Sequence, residues 1–190
     1  MDYSNFFEFS TFYIESNILV ETGQIDDEMH YVYGEAKVDE PIVFDYYMGK
    51  KIYDVIDTDW VSGYLISDRI KTALEENDIT GWKTYPVDVR NNKGKPIAGY
   101  SLLAVTGRSG PIDDTMSEVI LKDVPIPLGG RSNLKRGLYF DLATWDKSDI
   151  FIPEGSLSII VTSRVKDILE DIEATNVRLR KVSEVETEVL

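Results

Sequence analysis

"YLISDRIKTALEENDITGWKTYPV" runs from Tyr64 to Val87, and "IIVTSRVKDILEDIEATNVRLRKV" from Ile159 to Val182. Aligned without a gap, 95 residues apart, they set Arg69, Lys71, Leu74, Glu75, Thr80 and Val87 against identical residues: Arg164, Lys166, Leu169, Glu170, Thr175 and Val182. Leu65 and Ile160, Ile66 and Val161, Ser67 and Thr162, and Ile70 and Val165 exchange like for like. In each stretch an apolar stub leads through a hydroxyl residue into a helical pattern. Ile70, Ala73 and Leu74 share one helical face, and Val165, Ile168, Leu169 and Ile172 follow the i, i+3, i+4, i+7 rule. The spacing predicts helices over 68–77 and 163–173. Ser67 or Asp68, and Thr162 or Ser163, can cap them by accepting hydrogen bonds from first-turn amides. Asn77 and Gly81 suit a stop and a turn.

Extended segments follow both helices, "WKTYPVDVR" and "VRLRKVSEV". Pro86 has no amide donor, which predicts an edge position or an irregularity. Each copy therefore reads as a strand–helix–strand unit, over 54–89 and 149–184. Stacked arrays need about three repeats, so two copies suggest a duplicated half, with similar lobes around one core. "TFYIESNILV", "MHYVYGEAKV" and "PIVFDYYMG", within residues 10–50, have the β-branched and aromatic content of strands. "GLYFDLATW" and "SDIFIPEG" also read as strands, and Asn92-Lys93-Gly94 as a hairpin turn. The Gly-, Pro- and Ser-rich stretch 107–137 reads as long loops. The expected fold is α+β: a mixed, largely antiparallel sheet with two similar strand–helix–strand units and long connecting loops, in a single domain over 1–190.

A chain of 190 residues with 43% hydrophobic residues and eleven tyrosines is long and apolar enough to bury a core. It has no cysteine, which excludes disulfides and thiolate metal sites, and one histidine, His30, which excludes a multi-histidine centre. No apolar run approaches the roughly 20 residues of a membrane span. "MDYSNFFEFS" lacks the basic start of a signal peptide, so the expected location is cytoplasmic. The net charge is −14, and residues 1–50 hold eleven acids against Lys37 and Lys50, a net −9. Such a segment repels nucleic acid and membrane phosphates and steers basic partners inward.

No phosphate-binding glycine loop or serine-nucleophile elbow is present. "DTDW" (57–60), "IDD" (112–114) and "DKSD" (146–149) offer carboxylates without the spacing of a calcium loop. No cofactor is expected. Two loops, 106–114 with Arg108 and Asp113 and 129–137 with Arg131 and Arg136, read as either structural turns or an anion site.

Three runs carry a resemblance: "YLISDRI" (64–70), "GYSLLAVTGRSGPID" (99–113) and "TWDKSDIFIPEGSLSIIVTSRVKDILE" (144–170). They resemble a bacterial family grouped with the immunity proteins of polymorphic toxin systems, over Ile56 to Val182. The acidic first 50 residues fall outside it. The resemblance implies a binding function and transfers no catalytic residue. Two readings stand. In the first, a non-enzymatic protein neutralises a basic toxin domain. Asp26, Asp27 and Glu28 steer, and Tyr31, Tyr33 and exposed members of "FFEFSTFY" anchor. In the second, an anion binder or enzyme uses the 106–114 and 129–137 loops.

Overall fold

The computed structural model describes residues 2–12, 14–23, 25, 27–124 and 130–188. In chain order the elements are β1 (Phe6–Ser10), β2 (Leu19–Thr22), α1 (Glu28–Val32), β3 (Ile42–Met48), β4 (Val55–Thr58), β5 (Tyr64–Ser67), α2 (Asp68–Glu76), β6 (Trp82–Val89), β7 (Tyr100–Val105) and β8 (Gly107–Ser109). A 3-10 turn, Asp114–Met116, then leads to β9 (Glu118–Val124), β10 (Gly130–Arg136), β11 (Ile150–Pro153), β12 (Ile159–Thr162), α3 (Ser163–Asp171) and β13 (Arg178–Lys181). A second 3-10 turn, Val182–Glu184, and β14 (Glu186–Glu188) follow. The fold is α+β, with α2 and α3 at the predicted places. Ile70, Ala73 and Leu74 of α2 and Val165 and Leu169 of α3 are buried, and Ile172 is partly buried. The two helices lie against each other over a shared core with Phe9, Leu103, Ile150 and Ile159.

The two units share a topology as well as a sequence. β5 and β6 run parallel with β7 antiparallel between them, so that Leu102 stands opposite both Leu65 and Tyr85. β12 and β13 run parallel with β1 between them, and Glu8 stands opposite both Ile160 and Arg180. Those two pairs of partners are 95 residues apart, the same step that aligns the sequences. The flanking strands match too: Ile56 of β4 faces Leu65 as Phe151 of β11 faces Ile160. β2 lies parallel to β4 as β8 lies parallel to β11. The order β2-β4-β5-β7-β6 is thus repeated as β8-β11-β12-β1-β13. The first strand of each half of the chain sits in the other half's sheet.

What differs is the segment between the second and third strands of each half. In the first half it holds α1 and β3. β3 lies antiparallel to β2 and parallel to β6, and closes a six-stranded barrel. In the second half it holds β9 and β10, which form a separate three-stranded sheet with β14. The second five-stranded sheet stays open. Val87 pairs with β3, whereas its sequence match Val182 turns into the 3-10 segment and is buried in a second core with Tyr3, Phe6, Leu138, Phe140 and Phe151.

The identical polar residues of the repeat hold the halves together. The Asp54 carboxylate accepts from the Thr175 amide (2.9 Å) and hydroxyl, from the Ser67 hydroxyl (2.9 Å) and from Arg69 Nε (3.1 Å). The Asp149 carboxylate accepts from the Thr80 amide and hydroxyl (both 3.1 Å), from the Thr162 hydroxyl (3.0 Å) and from Arg164 (3.0 Å). Each aspartate stands at the start of one unit and takes the threonine of the other. The arginines cross over as well: Arg69 donates to the Ile172 and Glu173 carbonyls, and Arg164 to the Asn77 carbonyl. Burial pushes the Asp54 carboxyl up, but the hydrogen bonds from Arg69, Thr175 and Ser67 outweigh it and hold its pKa well below the usual carboxylate range.

Three expectations change. "MHYVY" forms the helix α1, not a strand, ended by Gly34 at φ 74°. The 107–137 stretch holds β8, β9 and β10 instead of long loops. Within 137–145 only Phe140 makes a strand-like bridge, to Ile112. Pro86 has the edge-like position expected of it, although β6 as a whole is interior to the barrel. There β6 is paired with β7 alone, since β3 joins only from Val87 onward, so the missing donor leaves no gap in the ladder.

Candidate partner-binding surface

The barrel presents one acidic face, built around β3. Its residues alternate: Ile42 and Phe44 are buried, while Val43, Asp45 and Tyr47 are exposed. That is the period of a strand with one face in the core. Glu21 of β2 stands directly across from Asp45, and Asp88 of β6 across from Val43. Arg90 is the basic residue among them. It donates to Asp88 through Nε (3.0 Å) and Nη2 (2.7 Å) and lies 3.9 Å from Asp45. Two like charges facing each other across a strand pair destabilise the sheet slightly, so Glu21 and Asp45 are not explained by stability. Asp59, exposed beside the end of β2, accepts from the Thr22 amide (3.2 Å). Tyr47 is 57% exposed and follows Asp45 in the outward row.

The residues expected from sequence to form the surface are spread by the fold. Asp26 lies outside the described residues, as does Tyr13. Asp27 is exposed ahead of α1, at φ 65°, and Glu28 is half-buried. His30 sits between two carboxylates, 3.3 Å from Asp27 and 3.0 Å from Glu35. Tyr31 is half-buried, its ring 5.5 Å from Trp60 and 6.0 Å from Tyr85, so it packs the barrel end. Tyr33 lies under the Arg108 guanidinium (4.8 Å). In "FFEFSTFY", Phe6, Phe7 and Phe9 are buried, which removes them as anchors, and Phe12 is exposed. The outward residues of β3 were missed. The signal for them was present: the alternation V-x-D-x-Y over 43–47 assigns Asp45 and Tyr47 to the face opposite Phe44.

Several residues of the second reading have partners within the chain. Arg108 donates to the carbonyls of Val105 and Gly107 (both 2.7 Å) and of Tyr33 (2.9 Å), so its guanidinium is committed to the backbone. Asp113 caps the first 3-10 turn through the Thr115 amide (3.0 Å). Lys135 pairs with Asp114 (2.6 Å), and Arg136 with Glu186 (3.2 Å) and Glu118 (3.6 Å). Arg131 stands opposite Asp123 in the β9–β10 ladder, and its side chain lies outside the described residues. A cleft of about 350 Å³ opens beside Arg108, but its rim brings Glu35 and Glu154, which disfavour an anion. The other candidate carboxylates also have internal partners: Asp57 accepts from Thr11 and Asn176, and Asp146 from the amides of Arg108 (2.8 Å) and Ser148 (2.9 Å). Among the described residues, no cluster of three His, Cys, Asp or Glu is placed to hold a metal ion, and no helix is long and apolar enough to cross a membrane.

No curated protein matches the chain in sequence. A family model does match, that of the immunity protein family Imm11, over residues 12–184. The match begins well ahead of Ile56. Residues 12–50 of the acidic N-terminal segment therefore lie within the family's extent, although the resemblance seen in the sequence began only at Ile56. With nearly the whole chain covered, this protein belongs to the immunity protein family Imm11.

Proposed function

We propose that this protein neutralises a toxin of the bacterium that makes it by binding the toxin directly, without catalysis, in the cytoplasm. Membership of an immunity protein family supports the role, and the acidic face around β3 is the observation that carries the mode. Asp45 and Asp88 share one arginine there, Glu21 stands across from Asp45, and Tyr47 is available as an aromatic anchor. Acids at an interface rim accelerate encounter with a basic partner, and a partly buried aromatic supplies affinity. The partner this face fits is a basic toxin domain. Nucleic acid and anionic membrane are repelled by the same charge. Asp27 and Glu28, near the α1 end of the barrel, extend the steering field.

Co-expression with the toxin encoded by a neighbouring gene tests the role, and binding kinetics test the surface. Glu21→Lys with Asp45→Lys should slow association by about tenfold at low salt and much less at high salt, where charges beyond the Debye length are screened. Tyr47→Ala should act chiefly on dissociation. If protection and both rates survive all three changes with the fold intact, the acidic face is not the binding surface.

A further inference from the structure

We infer that β9 is the contact through which two copies of this chain associate, by antiparallel pairing of β9 with β9. The barrel has no free edges, so among the described residues the open edges are β8, β13, β14 and β9. β8 and β14 have three residues each. β13 has four, with Arg178 and Lys181 exposed along it. Shortness and charge are the usual protections against pairing with another chain. β9 has neither. It has seven residues, and it exposes Val119 (65%) and Leu121 (59%) beside the exposed Met116.

The sequence of this edge is complementary to itself. β9 reads Glu118-Val119-Ile120-Leu121-Lys122 at its centre. With Ile120 on a two-fold axis, Val119 stands opposite Leu121 of the second copy, and Glu118 opposite Lys122. Opposite residues of an antiparallel pair project from the same face. Both apolar pairs are then covered, and two ion pairs close the ends. Glu118 and Lys122 are exposed, held at present by Arg136 (3.6 Å) and Glu186 (2.6 Å) on the neighbouring strands, and both can turn outward. The product is one continuous sheet of six strands, β14-β10-β9-β9-β10-β14, joined by an isologous contact of the kind that closes a dimer. The matched charges at both ends come from this sequence itself, which is what favours a second copy as the occupant.

Light scattering on the purified full chain across a concentration series should give twice the mass of the chain at high concentration. Leu121→Lys should give the monomer mass with an unchanged circular dichroism spectrum. Glu118→Lys should weaken the dimer at least tenfold, and Glu118→Lys with Lys122→Glu should restore it. A wild type that stays monomeric at submillimolar concentration overturns the inference, as does a dimer that Leu121→Lys leaves intact. A Leu121→Lys variant that loses toxin binding while the wild type alone is monomeric would assign this edge to the toxin instead, and would equally overturn it. Loss of the dimer with toxin protection retained leaves the acidic-face proposal standing.

Discussion

Asp54 is 13% exposed and ringed by donors, while its ion-pair partner Arg69 is 49% exposed. The difference sets the cost of removing it. Breaking a fully buried ion pair costs about 3–5 kcal/mol because a charge is stranded in the interior. Arg69 can turn to water, so Asp54→Ala should cost less, about 2–3 kcal/mol, as lost hydrogen bonds to a charged group. The pH dependence has a definite sign. The folded-state pKa of Asp54 is depressed below its ordinary value of 3.8. Its contribution is therefore complete above that value and lost as pH falls further. Asp54→Asn should be less stable than wild type at neutral pH, and the gap in urea midpoint should close below about pH 4. A gap constant across the acid range would show that the carboxylate charge does not hold the halves together. At this scale the sequence was half readable. Arg69, Arg164, Thr80 and Thr175 declared themselves by identity. Their purpose did not, because Asp54 and Asp149 stand ahead of the aligned stretches and each receives its threonine from the far unit.

The helices α2 and α3 were legible because a nine-residue amphipathic pattern with a hydroxyl at its start admits few other readings. The caps show where the reading stops. Ser67 accepts from the Ile70 amide (3.4 Å) while also serving Asp54, whereas Thr162 gives its hydroxyl to Asp149 and makes no cap. α1 was misread because Met29, Tyr31 and Tyr33 alternate as in a strand. Gly34, in the left-handed region after a short apolar run, was the stop signal that could have corrected it. β9 was missed because the glycines and prolines around it outweighed "EVILKDV". Burial makes the helix prediction quantitative. Leu169 is buried against Phe9, Ile159 and Leu74 in the shared core. Leu169→Ala should cost about 2–5 kcal/mol, with the upper end expected where two helices and two sheets cannot collapse onto the void. Leu74→Ala, at the matching place in α2, should cost a similar amount. A loss under about 1 kcal/mol at either position in urea unfolding would mean that the core is not shared as described.

At the scale of the whole molecule the recurring order of strands separates scaffold from recognition. The paired units recur in both halves, while the two intervening segments, one acidic with α1 and β3 and one with β9 and β10, have no counterpart in each other. β9 falls on one of those segments and the centre of the acidic face, Asp45 and Tyr47 of β3, on the other, while Glu21 and Asp88 belong to the recurring strands β2 and β6. The same architecture predicts how the chain folds. β7 fills the gap between β5 and β6, and β1 the gap between β12 and β13. Neither half can complete its central sheet alone. A half-chain would leave two parallel strands with no strand between them, and buried backbone amides without partners cost about 1–3 kcal/mol each. The turn at Asn92–Gly94 is exposed, and the halves meet there. We therefore propose that residues 1–93 and 94–190, expressed separately, are insoluble or unfolded, and that together they recover the spectrum and toxin protection of the intact chain. The measurement is co-purification through a tag on one fragment, followed by thermal unfolding. A cooperative melt from either fragment alone would show that the halves are independent domains, and would remove the reason for the crossed aspartate–threonine contacts.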